Sequence, residues 1–355
     1  VERIDIPNML KTFFLFISIS IVVPVFTFGQ AGKDSIQYEN LVFEGAGIRG
    51  LAYCGALMEM DDRHLLQNIQ RVAGTSSGAI TAALLAVGYT PQEIFELIGN
   101  TNFAKFNDGG GFFIGGTLRL FRRMGYYKGQ KFTKWMEKCI AAKVGHSDIT
   151  FLQLHELHLK SNQYKELIVT ATCMNHQKAE YFSFLNYPNM RIVDAVRASM
   201  AVPLYFEPLV INDNGGVVDV KNYEDKDHVL LDGGFLSNFP IWVFDDSTQF
   251  DCSSNQTIGF RIDSDYQIQV DRTKTKLPLY YSVHNTVDLV GSVYYIMKEN
   301  LNRFILTPYD WKRTVSISDC NIGPKVKRLS PEEKALFIKA GREGLRRDLD
   351  EPGFQ

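Results

Sequence analysis

The sequence has almost no net charge: 38 lysines and arginines stand against 40 aspartates and glutamates, leaving −2 over 355 residues. No basic surplus exists to neutralise a phosphate backbone, which argues against nucleic-acid binding. Cysteine is scarce too. The five (Cys54, Cys139, Cys173, Cys252, Cys320) are scattered, odd in number and without a CxxC pair. That excludes a CxxC-built zinc framework and a fully paired disulfide set, so they read as small buried residues and no metal or cofactor is expected. Internal repeats and low-complexity linkers are also missing, so nothing divides the chain after its N-terminal segment. With 45% hydrophobic residues, including 25 Phe and 16 Tyr, there is enough apolar material for one large core.

Charge is missing locally as well. Residues 12–32 carry none, and Phe13 to Phe28 is nearly all apolar behind Lys11. Small residues near Thr27-Phe28-Gly29 make 1–29 read as a signal peptide cleaved after Gly29, with Val1 to Asn8 an extension ahead of Met9. The rival is a retained membrane anchor, since the uncharged run approaches the ~20 residues a bilayer core needs. Both readings imply export.

Beyond it, Ile36 to Phe43 reads as a strand ending in a glycine loop, followed by a helix over Leu51 to Met60. A second strand, Gln70 to Ala73, runs into another glycine turn and the small apolar helix Ala79 to Val87. Leu167 to Thr172, Val229 to Asp232 and Thr257 to Ile262 read as buried strands, and Tyr280 to Asn300 as a long helix. Thr90-Pro91-Gln92-Glu93 and Ser330-Pro331-Glu332-Glu333 carry helix-start signatures, the latter opening an amphipathic helix to about Arg347. Alternating strands and helices imply an α/β domain with a largely parallel sheet. Between Asn102 and Gly129, the five glycines of Gly109 to Gly116 accompany Phe112-Phe113-Ile114, Arg119, Arg122 and Arg123. Two readings stand: a mobile flap meeting a lipid surface, or a plain surface loop leading into a buried helix.

Chemistry concentrates at three places. Gly74-Thr75-Ser76-Ser77-Gly78 is GxSxG, in which a nucleophile sits on a sharp strand-to-helix turn and the glycines Gly74 and Gly78 remove clashes. The helix beyond would aim free amides and its positive end at Ser76. Gly45-Ala46-Gly47-Ile48-Arg49-Gly50 is GxGxxG. A dinucleotide site would need an acidic residue at the end of the next strand, where the serine turn stands instead. The loop therefore reads as an oxyanion hole built from the amides of Ala46 to Arg49, with Arg49 docking the loop or facing phosphate. Asp232-Gly233-Gly234 ends an apolar strand, where burial would raise the carboxyl pKa and suit Asp232 to act as a base. His284 offers a triad with Ser76 and Asp232, though it falls early in the long helix. His155 and His158 lack the HExxH pattern and read as a solvated helix face.

These three motifs in this order resemble the patatin-like phospholipase family. Ala198-Ser199-Met200-Ala201-Val202-Pro203-Leu204-Tyr205-Phe206-Glu207-Pro208 is similar to its ASxAxPxxFxP stretch, and Asn238-Phe239-Pro240 to its NxP. The resemblance covers about Leu41 to Val243. It implies a three-layer α/β/α sandwich, with Ser76 as nucleophile, Asp232 as general base, Gly45 to Gly50 as the oxyanion loop, and neither a histidine nor a metal. The domain is expected over 36–310, with a strand and amphipathic helix over 311–355 packed on it. The implied substrate is phospholipid, lysophospholipid or another acyl-ester lipid, met at a membrane surface. Where the family often has a third glycine this chain has Ala46, which is harmless if the position needs no positive φ. Two alternatives to the dyad enzyme stand: the Ser76–Asp232–His284 triad esterase, and a catalytically silent lipid- or phosphate-binding protein using the glycine loop.

Overall fold

The computed structural model describes residues 37–109, 112–246, 248–249, 256–273, 283–284, 289, 292–293, 296, 302–324 and 327–351. The expected export segment, Cys252 and most of the expected helix Tyr280 to Asn300 lie outside them. One compact unit comprises Ile36–Gln355.

Its strands are β1 (Asn40–Phe43), β2 (Arg71–Thr75), β3 (Gly125–Tyr127), β4 (Glu166–Cys173), β5 (Lys178–Phe182), β6 (Leu204–Phe206), β7 (Leu209–Ile211), β8 (Val217–Val218), β9 (His228–Asp232), β10 (Thr257–Asp263) and β11 (Thr314–Ser318). The main sheet runs β11-β10-β1-β2-β4-β9-β7-β8, with β5 also on β4. From β11 to β4 every pairing is parallel, and β4–β5, β4–β9, β9–β7 and β7–β8 are antiparallel. β3 and β6 form a separate parallel pair.

Side-chain alternation builds the layers. Leu41 and Phe43 join the large core on one face, whereas Val42 faces a second cluster with Phe239, Ile241 and Phe244. On β4, Leu167 and Val169 take the first face and Ile168 the second. The result is the α/β sandwich with a mostly parallel sheet that the motifs implied. The first face carries the helices α1 (Ala52–Asp62) and α2 (Ser77–Ala86), among others, and both expected capping boxes are formed, at Thr90 and Ser330.

Three sequence expectations are refined. The sheet is largely parallel as expected, but β9 runs antiparallel to β4 within it; an apolar run states burial but not direction. The glycine-rich stretch after Asn102 holds a helix over Phe112–Arg123. Its arginines offset the glycine cost: Arg119 donates to Tyr126 O (2.7 Å) and Gly109 O (3.2 Å), and both Arg119 and Arg123 pair with Glu207. The expected solvated face at His155 and His158 is tied down, since His155 Nδ1 meets Glu166 at 2.8 Å and His158 Nδ1 meets Tyr164 O at 3.0 Å.

The C-terminal helix Pro331–Asp350 lies against α1 with no room to spare, as a Cβ on Gly341 would collide with Ala52 O and stand 2.7 Å from Ala56 N. Helix propensity alone would make Gly341→Ala stabilising by about 1 kcal/mol. Backbone overlap reverses the sign, so a net loss of about 1–3 kcal/mol is expected in urea unfolding; a gain would mean that the two helices do not meet there.

Candidate active site

β2 ends at Thr75 and α2 begins at Ser77, so Ser76 alone makes the turn. Its backbone sits at φ 53°, ψ −119°, a left-handed conformation that a non-glycine residue holds only under constraint. The flanking glycines supply the space. A Cβ on Gly74 would collide with the Gly78 backbone and stand 2.7 Å from Ala79 N. One on Gly78 would collide with Phe43 O and stand 2.7 Å from Glu44 O. GxSxG is thus a close-approach rule here: strand, turn and helix touch at two positions where only hydrogen fits. Ser76 is half-buried, at the head of a ten-residue helix whose first amides have no acceptor within it.

Strand register brings Asp232 to the same point. Val169 and Thr170 pair with Gly74 and Thr75 of β2 on one side and with β5 on the other, so β2 and β5 occupy opposite edges of β4. Ala171, Thr172 and Cys173 pair with both β5 and β9, so β9 also lies opposite β5. β2 and β9 therefore share one edge of β4 and meet end to end. Thr75 faces Thr170 and Asp232 faces Ala171, a step of about 3.3 Å along β4. Both chains leave the sheet there, one into Ser76 and the other into Gly233. A Cβ on Gly233 would stand 2.6 Å from Thr170 Oγ1 and 2.9 Å from Thr75 Cγ2. That explains the glycine after the aspartate. Asp232 is buried, and its Oδ1 accepts from Gly234 N at 2.8 Å.

One segment holds both turns. Ser199 Oγ accepts from Ser76 N at 2.8 Å, and Asp232 N donates to Ala201 O at 2.9 Å. The ASxAxP stretch, quoted from the sequence only as a supporting match, positions both backbones. On the far face, the Thr75 and Thr170 hydroxyls share a hydrogen bond, and Thr75 Oγ1 lies 2.8 Å and Thr170 Oγ1 3.3 Å from Ser237 O.

The glycine loop passes beside the serine. A Cβ on Gly45 would stand 3.2 Å from Ser76 Cβ, and one on Gly50 would stand 2.9 Å from Ser77 Oγ. Asn238 pins the loop, its carbonyl accepting from Gly45 N (3.1 Å) and its amide donating to Gly45 O (3.2 Å). Ala46 has φ −133°, so the alanine costs nothing, while Gly47 carries the positive φ of 60°. The Ala46 amide donates to Ser77 Oγ at 2.9 Å. It is committed to holding the loop, and the donors left at the head of the 3-10 turn are Gly47 and Ile48, which have no acceptor within that turn. Arg49 docks the loop: it donates to Ala46 O at 3.1 Å and pairs with Asp319 at 3.5 Å.

Behind the loop lies buried charge. Glu44 pairs with Arg261 at 3.0 Å and accepts from Ile262 N at 3.1 Å, and Arg261 also meets Asp263 at 3.4 Å. Arg303 pairs with Asp263 as well. Burial by itself would raise the Asp263 carboxyl, but the charges of Arg303 and Arg261 outweigh it and hold it at about 2.

His284 is exposed, and residues 285–288 beside it lie outside the described ones. Ser199 and Asn238 are the supports that motif reading undervalued. Their signal was present, in ASxAxP and NxP, without a stated role.

The sequence matches the family described as patatin-like phospholipase over residues 41–245. The chain belongs to that family. It is accordingly an ester-hydrolysing enzyme of the lipase and phospholipase class. This patatin-like chain is 34% identical over 212 residues to the Bacillus subtilis (strain 168) protein YqhO, covering 59% of this chain and 67% of that protein. It is 29% identical over 205 residues to the probable lipid hydrolase 463L of Invertebrate iridescent virus 6, covering 58% and 62%. Among solved structures, VipD from Legionella pneumophila matches with a TM-score of 0.53 at 17% identity, covering 88% of this chain and 67% of that one. At that identity the likeness concerns the fold.

Two outcomes are expected. Ser199→Ala removes the acceptor of the half-buried Ser76 amide and should cost about 1–2 kcal/mol in chemical unfolding; no loss would mean the amide finds another acceptor. Because the Asp263 pKa is depressed in the fold, its contribution is complete above about pH 4 and lost as the pH falls through about 2. The stability gap between the protein and Asp263→Asn should therefore shrink from pH 4 toward pH 2, whereas a constant gap would contradict the ion pairing.

Proposed function

We infer that the enzyme cleaves a fatty-acyl ester of phospholipid, lysophospholipid or neutral lipid with Ser76 as nucleophile and Asp232 as general base. The observation that carries this reading is the meeting of β2 and β9 on one edge of β4. Asp232 takes the Ser76 proton as Oγ attacks the ester carbonyl, and the C=O electrons move onto oxygen. The amides of Gly47 and Ile48 and the N-terminus of α2 stabilise that oxyanion. Collapse expels the alcohol, which receives the proton from Asp232 and leaves an acyl-enzyme. Water, deprotonated by the same carboxylate, then attacks the acyl carbon, and the fatty acid leaves as Ser76 Oγ takes the proton back from Asp232.

Lipid-surface contact is part of the proposal, supported by exposed Leu118, Phe121, Phe304 and Ile305. The uncharged N-terminal run is proposed as an export signal. Among the described residues, no helix is long and apolar enough to cross a membrane.

With a chromogenic acyl ester, Ser76→Ala and Asp232→Asn should each lower kcat/KM by about 10³-fold or more, while His284→Ala stays within about twofold. Equal damage from His284→Ala would replace the dyad by a triad.

A further inference from the structure

Away from the serine, the far end of β9 meets the far end of β4. There Cys173, His176 and His228 bring one sulfur and two ring nitrogens within 4.8 Å of one another. We propose that these three side chains bind one divalent transition-metal ion of the zinc type, clamping the β4–β5 turn to the start of β9.

The distances suit such an ion. Bonds of about 2.3 Å to sulfur and 2.0–2.1 Å to nitrogen at a tetrahedral angle separate the two ligand atoms by about 3.6 Å. Cys173 Sγ and His228 Nδ1 stand 3.8 Å apart. A thiolate with two imidazoles is a donor set of mixed softness, which favours zinc over magnesium or calcium. The His176 and His228 rings lie edge to face at 4.7 Å, with a ligand nitrogen of each within 4.8 Å of the other. Cys173 is fully buried, His228 nearly so, and His176 is exposed at the open side through which an ion enters.

The surroundings are those of a ligating imidazole. His228 Nε2 lies 3.1 Å from Asp213, an arrangement that fixes the tautomer and leaves Nδ1 to the metal. Nδ1 also lies 3.0 Å from Glu180 Oε1, which could serve as fourth ligand once it gives up its ion pair with Lys178 at 2.9 Å. Ligation needs Nδ1 and the Cys173 sulfur without protons, and any proton they carry leaves to solvent. The turn is preset without the metal: Asn175 donates to Asp227 O (2.7 Å) and accepts from Val229 N (3.0 Å), on either side of His228, and Met174 N donates to Val229 O (2.8 Å).

The competing account is a buried histidine hydrogen-bonded to Glu180 and Asp213, and cobalt separates the two. Titrating the metal-free full chain with Co²⁺ should give one ion per chain, a thiolate-to-cobalt charge-transfer band and the intense visible bands of four-coordination, all displaced by Zn²⁺. Cys173→Ser should abolish the charge-transfer band. His176→Ala, at an exposed position, should keep the fold and weaken Co²⁺ binding by about 10–100-fold or more. Zn²⁺ should raise the unfolding temperature of the parent and not of His176→Ala. Folded protein that shows no thiolate band, or binding that survives both substitutions, overturns the proposal.

Discussion

Two strands of opposite direction end on the same edge of one neighbour, and the proposed active site follows from that constraint. β4 is longer than either partner it carries on that edge, so β2 pairs with its first part and β9 with its last. Neither strand can continue without colliding with the other. Each must turn out of the sheet at adjacent levels, and the residues that make the turns are Ser76 and Asp232. The glycines then follow as necessities of space: Gly74 and Gly78 where turn and helix touch, and Gly233 against the Thr75–Thr170 pair. A backbone conformation as constrained as that of Ser76 persists because its surroundings over-determine it.

The charge cluster behind the glycine loop is read in the same light. Arg261 is fully buried between Glu44 and Asp263, and its guanidinium faces the rings of Phe239 and Trp311 at 5.2 and 5.6 Å. Such ion pairs add little net stability, since desolvation offsets much of the attraction. Removing one partner is costly all the same. Here Glu44 immediately precedes Gly45 and Asn238 bridges the two, so the cluster fixes where the loop starts relative to Ser76.

Much of this was legible from residues alone. The three motifs named the turns, and strand–loop–helix patterning placed β1, β2, α1 and α2 within a few residues. What pattern could not carry was direction. The run Val229 to Asp232 is equally apolar in a parallel or an antiparallel strand, yet the antiparallel course is what brings its end to Ser76. The helix after Asn102 was hidden because five glycines speak against it locally, while its arginine partners lie up to 96 residues away. The Cys173–His176–His228 cluster escaped for a related reason. Its third member joins from another strand, so no contiguous motif announces it, and a search for CxxC or HExxH passes over it.

The most direct test of the paired Ser76 and Asp232 uses a phosphonate reagent that reports on activated serine hydroxyls, read by mass spectrometry on the intact and digested protein. One adduct per chain, on the peptide containing Ser76 and formed far more slowly in folded Asp232→Asn, is the predicted result. Folded protein that takes up no reagent, or Asp232→Asn that reacts as fast as the parent, would contradict it.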